Sequence, residues 1–126
     1  MLYSQELHDV LLRLLHGIRS GKKEIYQELV SDDLTCFEPE TKGAAVQGLD
    51  FHFFFIENFN ATQPYHLELV NPTIRVYGDV GYTAYTLILL RKKNGEAAIT
   101  KVNETRIFKK FDGNWKMVHF HRSDCT

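Results

Sequence analysis

Two stretches of this 126-residue chain set charged or titratable groups inside aromatic runs. One is Phe37-Glu38-Pro39-Glu40 followed by Gly48-Leu49-Asp50-Phe51-His52-Phe53. The other is Glu104-Thr105-Arg106, continued through Asp112-Gly113-Asn114-Trp115 to His119-Phe120-His121-Arg122-Ser123. A guanidinium does not shed its proton, so a buried arginine requires an anion beside it. Arg106 shares a strand face with Glu104 and Phe108, and Arg122 shares one with Val118 and Phe120. Counting back from the Asp112-Gly113 turn, both guanidiniums reach one side of a sheet. The anion is then a protein carboxylate, from Glu104 or Glu38, or the carboxylate of a ligand. The internal pair is the more economical reading, because structural ion pairs are common.

The remaining titratable groups point less sharply to chemistry. His52 is flanked almost entirely by aromatic residues and reads as a hydrogen-bonded core histidine. His119 and His121 share a face with Trp115 and Met117, but no third ligand accompanies them, so no metal site is expected. His8 and His16 fall on the polar side of a helix. Asp50 reads as a helix cap rather than a partner for His52. No nucleophile elbow, phosphate-cradling loop or cysteine–histidine metal pattern occurs, so no catalytic residue and no cofactor is assigned.

The elements that must position these groups are readable from periodicity. Leu7, Val10, Leu11, Leu14, Leu15 and Ile18 recur at helical spacing, with Ser4 as N-cap and Ser20-Gly21 as stop. A short helix follows over 22–29, then a strand at 34–37. Residues 50–59 form a third helix, apolar nearly all round (Phe51, Phe53, Phe54, Phe55, Ile56, Phe59), which must be covered on more than one side. Turns at Gly78-Asp79, Asn94-Gly95 and Asp112-Gly113 divide the rest into four strands, about 65–77, 82–92, 97–110 and 115–122. Asn71-Pro72 marks a bulge or an edge in the first of these. Helices followed by a curled antiparallel meander give an α+β fold, a single domain over 1–126.

Bulk properties exclude several classes. A hydrophobic fraction of 44% and an aromatic fraction of 13% fit an ordered globule. Fifteen basic and sixteen acidic residues give a net charge of −1 without a basic stripe, so no nucleic acid partner is expected. No apolar run is long enough to cross a bilayer, so no membrane partner is expected. Cys36 and Cys125, in a chain whose start lacks a signal-peptide layout, read as reduced and cytoplasmic.

The strand Tyr82–Leu90 carries apolar residues on both faces. Ala84, Ile88 and Leu90 point one way and Tyr85, Leu87 and Leu89 the other. Antiparallel sheets usually keep one wet face, and this chain has helices enough to cover one face only. The second face is therefore expected to pack on another copy of the chain, with Tyr85, Leu87 and Leu89 as the interface candidates.

Nearly the whole chain resembles the association (hub) domain of calcium/calmodulin-dependent protein kinase type II. Phe-Glu-Pro-Glu, Gly-Leu-Asp-Phe-His, Glu-Thr-Arg, Asp-Gly-x-Trp and His-Phe-His-Arg-Ser occur in order, with matching spacing from Arg106 to Arg122. The resemblance implies the cone-like fold of the nuclear transport factor 2 superfamily, with the first helix in the concavity of a strongly curved sheet. It implies a non-catalytic domain that assembles into two stacked rings, twelve to fourteen or more subunits in all. It also implies a pocket for a small carboxylate lined by Tyr26, His52, Arg106 and Arg122, with Glu38 and Glu104 in support. Leu87 stands where the family carries a third pocket arginine. The substitutions around the motifs suggest a divergent, stand-alone homologue. The alternative is a small-molecule enzyme of the isomerase, cyclase or dehydratase type, built on His52 with Glu38 or Tyr26.

Overall fold

A computed structural model describes residues 4–42, 44–59 and 64–125, without the side chains of 55 and 57–59. Helices α1 (Gln5–Arg19) and α2 (Lys23–Leu29) come first. They lead into β1 (Val30–Phe37), a 3₁₀ turn (Pro39–Thr41), β2 (Ala45–Gln47) and α3 (Asp50–Phe59). The meander follows as β3 (Tyr65–Tyr77), β4 (Val80–Lys93), β5 (Glu96–Phe111) and β6 (Asn114–Asp124). The strands form one sheet in the order β2-β1-β6-β5-β4-β3.

Local chemistry accounts for most boundaries. The Ser4 hydroxyl accepts from the Leu7 amide at 3.1 Å, and Gly21 (φ +68°) follows the end of α1. Asn94-Gly95 and Asp112-Gly113 all have positive φ, as the tightest hairpin turns require. The β3–β4 register slips between Val70 and Thr73, where Asn71 (φ +50°) and Pro72 form the expected bulge.

Four features differ from the sequence reading. β1 pairs parallel with β6, so the sheet is mixed at that edge; the whole meander separates the two strands, and no tight turn forces them antiparallel. Asp50 is the first helical residue of α3, not its cap, because the Leu49 carbonyl already accepts the Phe53 amide. Phe54 is 60% exposed, so α3 is not covered all round; the expectations for the Phe55 and Phe59 side chains lie outside the described residues. Finally, Val118 is bulged between the pairs Ile107↔His119 and Phe108↔Met117. The bulge breaks the alternation, so Trp115, Met117 and Phe120 face inward while His119 and His121 do not.

The sheet wraps α1. Leu7, Leu11, Leu14 and Leu15 are buried against Leu34, Tyr85, Leu87, Phe108, Met117 and Phe120. Gly81 lets the helix approach: a Cβ there would lie 2.7 Å from Leu7 Cδ2 and 2.9 Å from the Arg75 carbonyl oxygen. Since the carbonyl belongs to the paired strand and cannot swing away, Gly81→Ala is expected to lower stability by about 1–3 kcal/mol in denaturant titration. An unchanged midpoint would show that α1 does not rest on this strand.

Candidate functional site

The open end of the cone holds a cavity of about 70 Å³. Tyr26 reaches it from α2, His52 from α3, Arg106 and Arg122 from β5 and β6, Glu38 from just after β1, and Glu40 from the 3₁₀ turn. Beneath it lies a charge network. Glu104 and Arg106 are both buried, and Arg106 Nη2 donates to Glu104 Oε2 at 3.1 Å. The Tyr85 hydroxyl donates to Glu104 Oε1 at 2.7 Å and accepts from Arg106 Nε at 3.1 Å. The same guanidinium lies 4.6 Å from the Phe120 ring centroid, a cation–π contact.

Burial alone would raise the pKa of Glu104. The charge of Arg106, the Tyr85 hydroxyl and Arg122 outweigh it and hold the carboxyl below its ordinary value of 4.5. Burial likewise opposes the charge on Arg106, and Glu104 together with Tyr85 and Tyr26 more than offsets it. Arg122 pairs with Glu40, and its guanidinium lies 3.7 Å from Glu38 and 3.8 Å from Glu104.

His52 stacks on Tyr26 with ring centroids 5.7 Å apart, and meets Phe51 and Phe120 edge-on. Its Nε2 lies 3.5 Å from Cys36 Sγ and 3.7 Å from Glu38 Oε1.

Two charged cavity residues, Glu40 and Arg19, were missed by sequence reasoning. Arg19, the last residue of α1, lines the same space. No carboxylate lies within ion-pairing distance of it among the described residues. Burial, with Arg122 nearby, pushes its pKa down. The signal was present: Leu7, Leu11, Leu15 and Arg19 form one four-residue series, so the buried stripe of the helix ends in a cation.

The outer face of the sheet is different in kind. β4 turns Tyr82, Ala84, Thr86, Ile88 and Leu90 outward, half-buried or exposed. Leu90 (39% exposed) pairs across the ladder with Ile99 (68% exposed). The interface candidates are thereby corrected: Tyr85, Leu87 and Leu89 point into the cone and are buried there, Leu87 to 1%. Alternation divides a strand into two faces but does not say which faces out.

Residues 3–126 match the family described as calcium/calmodulin dependent protein kinase II association domain. The chain belongs to this association-domain family. It is 37% identical over 123 residues to the calcium/calmodulin-dependent protein kinase type II subunit delta of Oryctolagus cuniculus, covering 94% of this chain and 23% of that protein. The chain thus spans about a quarter of that relative's length. The association domain of the C. elegans kinase superposes with a TM-score of 0.88 at 34% identity, covering 94% of this chain and 93% of that one. A nuclear transport factor 2-like protein of Salmonella enterica, 21% identical and covering 97% and 90% of the two chains, shares the fold with a TM-score of 0.78. The association domain is a non-catalytic module that forms homo-oligomers, and the cone is the nuclear transport factor 2-like fold.

Tyr26, His52, Arg106 and Arg122 of the association domain converge on one cavity, Glu38 lines it, and Glu104 anchors Arg106 from below. Arg106→Met would leave the Glu104 carboxylate buried with only the more distant Arg122. A loss of roughly 3–5 kcal/mol is expected. Because the Glu104 pKa is depressed on folding, its contribution is present above pH 4.5 and is lost as pH falls from there through the lower folded value. Glu104→Gln should therefore flatten the acid limb of the stability–pH curve, read by denaturant midpoints at successive pH values. A wild-type curve already flat below pH 4.5 would contradict the assignment.

Proposed function

We propose that this association domain closes into two stacked rings, twelve to fourteen or more subunits, through the outer face of its sheet, and admits a small carboxylate to the arginine-lined cavity. The observation that carries the assembly reading is the outward apolar pair Leu90 and Ile99, in a chain that belongs to an association-domain family. Fully burying such a side chain is worth about 1.5–3 kcal/mol. A patch that meets a different patch at a fixed rotation closes into a ring, and a self-complementary patch pairs two rings about a twofold axis. Cys36 and Cys125 are free thiols, which supports a cytoplasmic setting.

Charge and space support the carboxylate reading under one condition. Arg106 and Glu104 satisfy each other. Arg19 has no such partner among the described residues, and the partner of Arg122, Glu40, is half exposed. A cavity of about 70 Å³ holds roughly two waters at ~30 Å³ each. A carboxylate therefore enters by displacing Glu40, into an adjoining space of about 190 Å³ that Arg19, Glu40 and Arg122 also line. Leu87 lines that space too, and Arg19 supplies the third guanidinium that Leu87 does not.

Native mass spectrometry of the wild type should give an even multiple of 14.7 kDa, and Leu90→Glu with Ile99→Glu should lower that number. A wild-type monomer at micromolar concentration rules the assembly out. In calorimetry with short aliphatic carboxylates, Glu40→Gln should tighten binding several-fold and Arg122→Ala should abolish it. Absence of heat with the wild type ends the ligand reading and leaves the assembly reading intact.

A further inference from the structure

Cys36, Glu38 and His52 form a compact donor set at the wall of the cavity, which Glu38 and His52 also line. All three are buried, and one donor atom from each lies within 4.8 Å of the others. Cys36 and Glu38 are i and i+2 along extended backbone (Glu38 φ −154°, ψ 159°), so both side chains point to the same side. The third donor arrives from the first turn of α3. The chain between is held by Cys36↔Val46 pairing and by the Gly48 amide donating to the Leu34 carbonyl at 2.7 Å.

Two edges of the set, sulfur to nitrogen and nitrogen to oxygen, have tetrahedral lengths, and the third is no longer than 4.8 Å. With metal–sulfur and metal–nitrogen bonds of ~2.3 and ~2.0 Å, tetrahedral angles put sulfur and nitrogen roughly 3.5 Å apart, and nitrogen and oxygen roughly 3.4 Å apart. The observed separations are 3.5 Å for Cys36 Sγ to His52 Nε2 and 3.7 Å for His52 Nε2 to Glu38 Oε1. His52 is 7% exposed. Its Nε2, the nitrogen turned towards the other two donors, faces only the Cys36 thiol at 3.5 Å and a carboxylate too distant for a hydrogen bond. Its Nδ1, on the other side of the ring, has no hydrogen-bond partner among the described residues and would carry the proton of a metal-bound imidazole.

We propose that Cys36, Glu38 and His52 bind a divalent transition ion of zinc's class, with the fourth position open to the cavity. One thiolate, one imidazole and one carboxylate are a donor set suited to zinc rather than to calcium or magnesium. The other Glu38 oxygen, 3.7 Å from Arg122, is turned away from the ion, and the guanidinium orients the ligand. The cost is two nearby cations, Arg106 and Arg122, offset by Glu40 and Glu104. Binding releases the Cys36 proton to solvent as the sulfur–metal bond forms. Without metal, burial with Glu38 nearby pushes that thiol up to about 12, so the free site stays protonated. The ion would clip β1 to α3 across a sequence separation of 16 that includes Glu40.

Cobalt(II) added to the reduced, purified chain without added carboxylate is the probe. One equivalent should produce the thiolate-to-cobalt charge-transfer band and the visible bands of a tetrahedral site, displaced by zinc. Cys36→Ala and His52→Gln should lose both, and Glu38→Gln should weaken binding at least tenfold, each variant being checked for folding by circular dichroism. Cys125→Ser should bind as the wild type does. No band with the wild type, a band that survives Cys36→Ala or His52→Gln, unchanged affinity in Glu38→Gln, or loss in Cys125→Ser overturns the proposal. The carboxylate reading is read separately through Arg122→Ala calorimetry, so either can fail alone.

Discussion

One long α-helix lies against the inner face of a six-stranded sheet, and among the described residues no other element covers the outer face. This inequality governs the rest. The inner face gains a continuous apolar core from Leu7 to Phe120. The outer face keeps Leu90, Ile99 and Val70 open to solvent in the single chain. Curvature follows from the same arrangement, because strands of up to sixteen residues must bend and twist to wrap a helix about 10 Å wide. The bulges at Asn71-Pro72 and at Val118 supply that bend.

The open end of the cone is where the apolar filling runs out. Past Leu15 the helix presents Arg19, and past Phe108 the strand β5 presents Arg106 and Glu104. Two charges there are almost wholly withdrawn from water, which is tolerable because each nearly satisfies the other and Tyr85 bridges them. This pair is structural, whereas Arg122 pairs with the partly exposed Glu40 and Arg19 has no carboxylate within ion-pairing distance among the described residues. Tyr26 and Tyr85, both pushed up in pKa chiefly by burial, stay neutral hydroxyls at any physiological pH. The cavity therefore offers fixed cations and the neutral Tyr26 hydroxyl, together with one thiol–imidazole–carboxylate corner, and the last is unlike the rest in its chemistry.

Much of this was legible in the residues themselves. The helical stripe of α1, three glycine turns and Asn71-Pro72 are local signals, and each element fell where its local chemistry put it. The cost of burying a guanidinium favoured an internal carboxylate for Arg106 but left Glu104 and Glu38 both open, and the structure pairs it with Glu104. What was not legible depended on distant contacts. The two faces of Tyr82–Leu90 were separated correctly, but their direction was reversed, since only the position of α1 decides which face is inside. His119 and His121 were placed on the face of Trp115 because an unmarked bulge at Val118 shifts the alternation. Cys36 joined no motif, because its partners are Glu38 after the strand and His52 on another element, brought near by β2 and the Gly48 turn. Arg19 was overlooked because a cation at a helix end is usually solvated and favourable to the helix dipole.

Assembly depends on the outer face of β4 being a contact between copies of the chain. Electron cryomicroscopy of the purified chain tests this most directly. The expected map is a closed assembly in which Ile88, Leu90 and Ile99 of each subunit are covered by a neighbouring subunit. An assembly that leaves that face in solvent, or particles no larger than one subunit, would contradict it.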